Sequence, residues 1–267
     1  MRQELVDRLA KVGTAHKYDY GHALVIAGGI GRTGAARLAA RGALRVGAGL
    51  VTLAPPAASL FACAAQSTAI MVRRCDTDAD LASAFEDTRI NALCLGPGAG
   101  VERAAALLPG VLARFADASS GGCVLDADAL TALAPAMQPV GARTVLTPHG
   151  GEFARLFPDL PQDGAGVRAA AARTAGVVLL KGAETQIAGP DGAFATVRAK
   201  APWLATAGSG DVLAGVISGL LARGLQPMDA AEAGAELHGA CARAFGPGLI
   251  AEDLPEMLPQ VFRDLGL

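Results

Sequence analysis

Residues 205–210 are small, Ala-Thr-Ala-Gly-Ser-Gly, and they end at an aspartate, Asp211, where an apolar segment begins. A loop of this kind before a helix leaves backbone N–H groups and the positive end of the helix dipole free to bind an anion, most often a phosphate. A carboxylate beside such a site suits a base that removes the proton of a hydroxyl attacking a phosphoryl group. The alternative is that Asp211 only caps the helix and that Gly210 supplies backbone freedom. The motif alone favours neither interpretation.

Residues able to bind or react with a ligand follow five short apolar runs of the chain. They lie at 28–34, 96–100, 126–128, 147–152 and 181–185, and they include glycine, aspartate, glutamate, histidine and lysine. In open α/β sheets, ligands bind beyond the carboxyl ends of the strands. One such segment alone would indicate only a turn. Five of them, together with Asp211, predict one ligand-binding edge.

Short apolar runs that alternate with Ala-rich helical stretches predict the elements that position these residues. The alternation is typical of a mostly parallel sheet covered by helices on both faces. Residues 186–188 and 194–197, joined by Gly-Pro-Asp-Gly, predict an antiparallel hairpin at the late edge of that sheet. The predicted strands are 23–27, 50–53, 69–72, 92–95, 123–125, 145–146 and 177–180, and the predicted helices are 34–46, 101–115, 165–174, 211–222 and 228–245.

Composition and charge argue against several classes of protein. The 267 residues are 52% hydrophobic and 18% charged, and the net charge of −2 gives no reason to expect nucleic acid or an anionic membrane as a partner. The five cysteines are scattered and lack metal-ligand spacing, which predicts buried free thiols in a reducing compartment. The N-terminus has no apolar signal core, and no apolar run is long enough to cross a bilayer. We expect a cytoplasmic protein.

Seven sequence segments occur in one fixed order along the chain. They are HKYDYGHALVIAGG, TGAARLAARGALRVGAGLVT, LGPGAG, LDADAL, LTPHGGE, LLKGAET and ATAGSGDVLAG. The ordered set resembles the ADP/ATP-dependent NAD(P)H-hydrate dehydratase family, a branch of the ribokinase-like superfamily. Sugar kinases of that superfamily share the Gly-x-Gly-Asp loop but lack the LDADAL and LTPHGGE pair. The resemblance covers residues 16–267, which predicts one domain there and an N-terminal extension at 1–15.

The resemblance implies an α/β fold, the ribokinase-like three-layer sandwich, with a mostly parallel central sheet and helices on both faces. It also implies a carbon–oxygen lyase that returns hydrated NADH and NADPH (NADHX and NADPHX) to NADH and NADPH. In this reaction ADP or ATP, with Mg²⁺, phosphorylates the ring hydroxyl, and phosphate is then eliminated. Further implications are a homo-oligomer and a functional pairing with an NAD(P)H-hydrate epimerase.

The resemblance also implies roles for individual residues. The catalytic base, which contacts the substrate hydroxyl as well, is Asp211. The backbone amides that form an anion hole for the transferring phosphoryl group are those of Ala207, Gly208, Ser209 and Gly210. The further substrate-binding residues are Ala35, Gly98 and His149. The nucleotide-binding residues are Lys181, Gly182, Ala183, Glu184, Thr185 and Gly210.

Simpler interpretations of some of these residues stay open. Glu152 is expected to orient Mg²⁺ through water, or merely to favour the dipole of a helix that starts near it. His149 is also explained by a turn histidine bonded to the backbone, and Lys181 by a surface lysine at the end of a strand. Glu184 meets no obvious need and is explained by solvation.

The roles of several other polar and aromatic residues are not decided by the sequence. Asp126 and Asp128 flank a strand end, where one contacts substrate or a metal-bound water and the other caps the next helix. Lys17 is a candidate for a phosphate contact. Trp203, the only tryptophan, fits a lid, a base-stacking residue or core packing. We expect His238 to be a packing histidine with its polar atoms satisfied.

Three other functions remain open on the sequence alone. A small-molecule kinase of the same superfamily, acting on a hydroxymethylpyrimidine, thiazole or similar alcohol, would use the same base and anion hole but release a stable phosphoester. A non-catalytic nucleotide-binding module would keep residues 181–185 without needing Asp211. A Rossmann dehydrogenase fits Gly-x-Gly-x-x-Gly at residues 29–34, yet Thr52 and Leu53 stand where the acidic ribose partner belongs. The choices between ADP and ATP and between NADHX and NADPHX, and any need for a monovalent cation, also stay open.

Overall fold

A computed structural model describes residues 1–116, 119 and 121–267, and one twisted sheet runs through this part of the chain. Its strand order is β3-β2-β1-β4-β5-β6-β7-β8-β9. All neighbours from β3 to β7 pair in parallel, whereas β8 is antiparallel to both β7 and β9. The strands are β1 His22–Ile26, β2 Leu50–Ala54, β3 Met71–Val72, β4 Ile90–Leu95, β5 Gly122–Leu125, β6 Thr144–Leu146, β7 Val177–Leu180, β8 Glu184–Ala188 and β9 Phe194–Arg198.

Helices cover both faces of this sheet. Short 3-10 turns lie at Lys17–Tyr20, Ala134–Ala136 and Pro202–Leu204. The α-helices are α1 Gln3–Leu9, α2 Thr33–Arg45, α3 Ala57–Ala65, α4 Asp78–Phe85, α5 Val101–Ala116, α6 Asp128–Leu133, α7 Gly150–Leu156, α8 Gly164–Thr174, α9 Ser209–Ala222, α10 Pro227–Phe245 and α11 Asp253–Asp264.

The core has two layers, one on each face of the sheet. Along β1, Ala23 and Val25 point into the layer covered by α2, α9, α10 and α11, whereas Leu24 and Ile26 point into the layer covered by α4 to α8. A strand whose alternate side chains are all buried requires apolar cover on both sides. The predicted three-layer α/β fold and the edge hairpin are therefore confirmed.

Several elements differ from the sequence prediction. The third strand is shorter than the predicted 69–72, and α1, α3, α4 and α11 were not predicted at all. Helix α1 lies within the predicted extension, and its Leu5 and Leu9 are buried in the core. Helix α11 contains Pro255 and Pro259, and proline inside an apolar periodic segment argues against a helix when only the sequence is read.

Arg103 of α5 ties together the carboxyl ends of three strands. Its guanidinium donates to the carbonyl oxygens of Ala27 at 3.2 Å, Ala54 at 3.3 Å and Asp76 at 3.1 Å, and also to that of Cys75. These carbonyls follow β1, end β2 and follow β3. One side chain thus donates to backbone acceptors at the ends of three neighbouring strands.

All five cysteines are free and buried, as the sequence predicts. Within the residues that the structure describes, none of the helices has the length and apolar character needed to cross a membrane.

Candidate active site

Asp211 lies in the first turn of α9, at the edge of the sheet where the parallel strands end. The N-cap of α9 is Gly208, not Asp211, so the interpretation of Asp211 as the cap is wrong. Gly208 has φ +88°, and a Cβ there would lie 2.7 Å from Leu38 Cδ1. Only glycine fits this turn without strain. The turn leaves the Asp211 carboxylate free of a capping role.

The environment of Asp211 makes its carboxyl a stronger base than an ordinary aspartate. Burial raises the pKa of Asp211 to about 6, the negative charge of Asp126 adds to the rise, and the positive charge of Lys181 opposes it. A carboxylate with this pKa is still ionised at neutral pH and accepts a proton more readily than an exposed one.

The predicted anion hole consists of backbone N–H groups that precede or open α9. The N–H groups of Ala207, Gly208 and Gly210 form no hydrogen bond with any described residue, and that of Asp211 is equally free. Ser209 differs, because its N–H donates weakly to the Thr206 carbonyl at 3.4 Å. The free donors and the helix dipole favour an anion at this point.

Lys181, at the end of β7, lies inside a group of carboxylates. Its Nζ is 2.7 Å from Asp126 Oδ1 and 3.9 Å from Glu152 Oε2. The Asp126 side chain is only 2% exposed, and its Oδ1 also accepts a hydrogen bond from the Thr147 hydroxyl at 2.9 Å. A Cβ built on Gly210 would lie 3.4 Å from the same Nζ. The interpretation of Lys181 as a surface lysine is therefore wrong, because its ammonium group lies between these carboxylates and Gly210 of the anion hole.

The two aspartates that follow β5 have different partners. Asp126 pairs with Lys181, whereas Asp128 accepts a hydrogen bond from the Gly100 N–H at 2.8 Å and holds the loop 96–100. Ala127, between them, has φ +44°. This conformation is rare for a residue with a side chain and is typical of functional sites. It turns the two neighbouring carboxylates toward different partners.

His149 is the N-cap of α7 and forms a capping box with Glu152. Its Nδ1 accepts hydrogen bonds from the N–H groups of Gly151 at 3.0 Å and Glu152 at 3.4 Å, while Glu152 Oε2 accepts one from the His149 N–H at 2.8 Å. Because Nδ1 accepts, Nε2 carries the proton of the neutral ring. The side chain is 60% exposed, so a histidine bonded to the backbone still offers an N–H donor to a ligand.

The loops after β1 and β4 contact each other through small residues. A Cβ on Gly98, which has φ +63°, would lie 2.6 Å from the Arg32 carbonyl and 3.2 Å from Ala35 Cβ. A Cβ on Gly28 would lie 1.8 Å from the Gly98 carbonyl oxygen. The two residues predicted to bind substrate, Ala35 and Gly98, are thus neighbours at the same edge of the sheet as Asp211.

A cavity of about 670 Å³ lies beside the N-terminus of α9. Four of the five residues predicted at 181–185 line it, as does Gly210, and most of its wall is apolar. Sequence analysis identified Ser209 and Gly210 of α9 but missed Leu213 of α9 and Ala235 of α10, and it assigned no ligand role to His238. The lining residues are Lys181, Gly182, Ala183, Thr185, Ala199, Lys200, Ala201, Pro202, Leu204, Ala205, Ser209, Gly210, Leu213, Ala235 and His238.

Three residues named in the sequence analysis do not line this cavity. The Glu184 carboxylate accepts a hydrogen bond from Arg198 Nε at 2.6 Å on an exposed part of the hairpin and does not line the cavity. Lys17 precedes β1 and therefore lies at the opposite edge of the sheet, so it cannot contact a phosphate at Asp211. Trp203 is half-exposed next to two lining residues but is not one of them.

No group of three or more His, Cys, Asp and Glu side chains is arranged to hold a metal ion in the described ranges of the chain. Glu152 has Lys181, the His149 amide and, at 3.7 Å, the His149 Nε2 as its partners. Mg²⁺ usually keeps several waters and binds through one or two carboxylates together with substrate phosphates. The residues present therefore fit a Mg²⁺ ion that arrives with a nucleotide and contacts Glu152 through water.

Comparison with known proteins gives concordant matches. Residues 23–260 match the family model described as NAD(P)H-hydrate dehydratase. The bifunctional NAD(P)H-hydrate repair enzyme of Moorella thermoacetica is 40% identical over 94% of this chain. The chain spans about half of that relative's length, 51%. The ADP-dependent (S)-NAD(P)H-hydrate dehydratase of Neisseria meningitidis is 38% identical over 87% of this chain and 80% of its own.

A solved structure has the same fold. The ADP/ATP-dependent NAD(P)H-hydrate dehydratase of Bacillus subtilis, co-crystallised with ATP and Mg²⁺, superposes with a TM-score of 0.82 at 29% identity. The match covers 98% of this chain and 96% of that one.

Proposed function

Because the chain belongs to the NAD(P)H-hydrate dehydratase family, we propose that it returns NADHX and NADPHX to NADH and NADPH at the expense of a nucleotide. The reaction begins as a phosphoryl transfer. The ring hydroxyl oxygen attacks the terminal phosphorus of ADP, the bridging P–O bond breaks, and AMP leaves. Asp211 accepts the hydroxyl proton.

The second step is an elimination. The lone pair of the ring nitrogen expels the phosphate by breaking the ring C–O bond, and loss of a proton from the neighbouring ring carbon restores the double bond. Hydroxide is a poor leaving group near neutral pH and phosphate is a good one, so phosphorylation makes the dehydration feasible. The N–H groups that open α9 bind the transferred phosphoryl group during the first step.

One observation carries this proposal. Asp211, with its pKa raised to about 6 by burial first and by Asp126 second, shares one helical turn with the unpaired N–H groups of Gly208 and Gly210. A base and a phosphoryl-binding site must lie this close for the hydroxyl to attack in line. A non-catalytic nucleotide-binding module gives no reason for a half-buried carboxylate at this position.

The substrates occupy opposite sides of the Asp211 turn in this proposal. The nucleotide binds in the cavity lined by Lys181, Gly182, Ala183 and Thr185. The hydrated nicotinamide binds over the loops that contain Ala35 and Gly98, within reach of His149 Nε2. Mg²⁺, when bound with the nucleotide, neutralises phosphate charge. We propose ADP as the donor and the (S) epimer as the substrate, because two similar relatives carry both terms in their names.

The proposal extends to the protein's surroundings. The five buried free thiols support a reducing compartment, the cytoplasm. The matched repair enzymes are bifunctional, which supports pairing with an NAD(P)H-hydrate epimerase.

The exposed side chains of Phe61 and Ile30 support a homo-oligomer. Light scattering at several protein concentrations would test this.

The decisive experiment follows absorbance near 340 nm after the protein is mixed with NADHX, Mg²⁺ and either ADP or ATP. We expect NADH to appear with one phosphate released per NADH, only when nucleotide is present. The variant Asp211→Asn should bind nucleotide but form NADH at least about 10²-fold more slowly. A folded wild-type protein that binds nucleotide and forms no NADH would contradict the proposal. A stable phosphoester of a hydroxylated heterocycle would then identify a kinase.

A further inference from the structure

His238 of α10 is a buried histidine that contacts the first turn of α9. It is 8% exposed, and its Nε2 lies 2.9 Å from the carbonyl oxygen of Ser209. A carbonyl oxygen can only accept a hydrogen bond, so Nε2 carries the proton. The expected role as a packing histidine with satisfied polar atoms therefore accounts for only one of its two ring nitrogens.

The other ring nitrogen, Nδ1, faces the nucleotide cavity. His238 lines this cavity. Its Nδ1 forms no hydrogen bond with a described residue. Because Nδ1 is also not one of the fully buried side-chain atoms without a partner, it remains accessible. Burial lowers the pKa of His238 to about 4, the bond to Ser209 opposes this, and the positive charge of Lys181 adds to it. The ring is thus neutral at neutral pH, and Nδ1 presents a lone pair to the cavity.

The remaining polar side chains of the cavity are two ammonium groups and two hydroxyls. Lys181 and Lys200 line it, and an ammonium group only donates. The hydroxyls of Ser209 and Thr185 already donate to the carbonyls of Leu204 at 2.7 Å and Gly182 at 3.5 Å. Like Nδ1, they offer a ligand only acceptor lone pairs. A ligand that fills this cavity would strand Nδ1 unless it brings a donor, and a stranded acceptor weakens binding.

We propose that His238 recognises the nucleoside half of the nucleotide, with Nδ1 accepting a hydrogen bond from a ribose hydroxyl or from the exocyclic amine of the base. The inference rests on the proposed function, since it assumes that ADP or ATP fills this cavity. It adds a residue of α10 to a site otherwise built from strand ends and the N-terminus of α9.

The same side chain positions the anion hole. The Ser209 carbonyl and the Gly210 N–H belong to one peptide group, and in a trans peptide they point in opposite directions. A donor held on the Ser209 carbonyl fixes that peptide and polarises the Gly210 N–H, which is free to bind phosphate. His238 therefore links recognition of the nucleoside to the orientation of a phosphate-binding donor.

Two conservative variants separate these roles. His238→Gln keeps a donor near the place of Nε2 but has no acceptor near the place of Nδ1. His238→Asn keeps an acceptor near the place of Nδ1 but loses the hydrogen bond to the Ser209 carbonyl. The matched control is His22→Asn, because His22 is also buried and bonds to the Thr52 hydroxyl at 2.8 Å. His22 opens β1 at the opposite edge of the sheet.

The experiment is calorimetric titration with ADP and three analogues, the 2′-deoxy and 3′-deoxy forms and the purine nucleotide that lacks the 6-amino group. We expect His238→Gln to bind ADP about 3- to 10-fold more weakly, the loss of one hydrogen bond between neutral groups, and to lower kcat less than His238→Asn does. His238→Asn should keep the Kd for ADP and lower kcat. His22→Asn should change Tm alone.

The analogues identify the donor. The analogue that lacks the donor should bind the wild-type protein about 3- to 10-fold more weakly than ADP. The same analogue and ADP should bind His238→Gln with equal affinity. An equal loss in His238→Gln for ADP and for all three analogues would overturn the inference while the proposed function stands. Unchanged ADP binding in both folded variants would overturn it too. Absence of ADP and ATP binding by the wild-type protein would contradict the proposed function itself.

Discussion

Lys181 Nζ lies 2.7 Å from Asp126 Oδ1, and this ion pair connects the end of β7 to the end of β5. The same aspartate oxygen also accepts the Thr147 hydroxyl. Because Asp126 is almost fully buried, its charge depends on the lysine for compensation. Burial is the main cause of the raised pKa of Asp211, and Asp126 and Lys181 then act on this pKa in opposite directions.

The substitution Lys181→Met should destabilise the folded protein by about 3 kcal/mol, because it leaves the Asp126 carboxylate buried without a counter-charge. Urea denaturation measures this change in the free energy of unfolding. The control is Lys200→Met, since Lys200 is an exposed lysine of the same cavity. It should change stability by less than about 0.5 kcal/mol. Equal stabilities for the two variants would contradict a structural role for the ion pair.

The rate of NADH formation should rise from about pH 5 to about pH 7 and then level off, because the pKa of Asp211 is about 6. Burial is the main cause of this raised pKa, followed by Asp126. The ionised form is the one that accepts the hydroxyl proton. The dependence of kcat/KM on pH reports the free enzyme. A rate that is flat across this window would exclude Asp211 as the titrating base.

The substitution Asp211→Asn should lower the rate by about 10²- to 10⁴-fold, the usual contribution of a general base, and should also stabilise the protein. The folded-state pKa of Asp211 lies above its ordinary value of 3.8, so its favourable contribution exists at low pH and is lost as pH rises through about 6. At pH 8 the variant should gain about 1 kcal/mol, once solvent screening of this partly exposed side chain is included. Thermal unfolding at pH 4 and pH 8 should show the gain only at the higher pH.

The site residues that the sequence predicts lie at strand ends and in loops. Asp211, His149 and Lys181 follow short apolar runs or a small-residue loop, and the parallel sheet gathers them at one edge. Arg103 and His238 lie inside helices, and their partners stand 76 and 29 residues away along the chain. No local pattern marks such residues, because only the packing of distant elements gives them their contacts.

Alternation along a strand explains why Glu184 differs from its neighbours. It opens β8, where successive side chains point to opposite faces. A motif of consecutive residues cannot direct every side chain toward one ligand. The substitution Glu184→Gln should leave the nucleotide Kd unchanged within about twofold and leave Tm close to the wild-type value, because its pair with Arg198 is exposed. A loss of nucleotide affinity above tenfold would show instead that Glu184 contributes to nucleotide binding.

The substitution Gly98→Ala should destabilise the protein by about 1–3 kcal/mol and raise the KM for the hydrated substrate. The new Cβ would lie 2.6 Å from the Arg32 carbonyl at a residue with φ +63°. The control is Gly29→Ala, where no atom lies within 4 Å of the new Cβ. Denaturation and substrate titration of both variants test this contact between the two loops. Equal stability of Gly98→Ala and wild type would contradict it.

The Arg103 guanidinium gives the ligand-binding edge two halves of different character. The ends of β1, β2 and β3 are held by hydrogen bonds to neutral carbonyl oxygens, which an incoming anion does not compete for. The ends of β5 and β7 are held by the Lys181–Asp126 ion pair, and a phosphate competes with Asp126 for the same ammonium group. In the proposed function, arrival of the nucleotide therefore acts on the half that contains Lys181, and the half held by Arg103 keeps its shape.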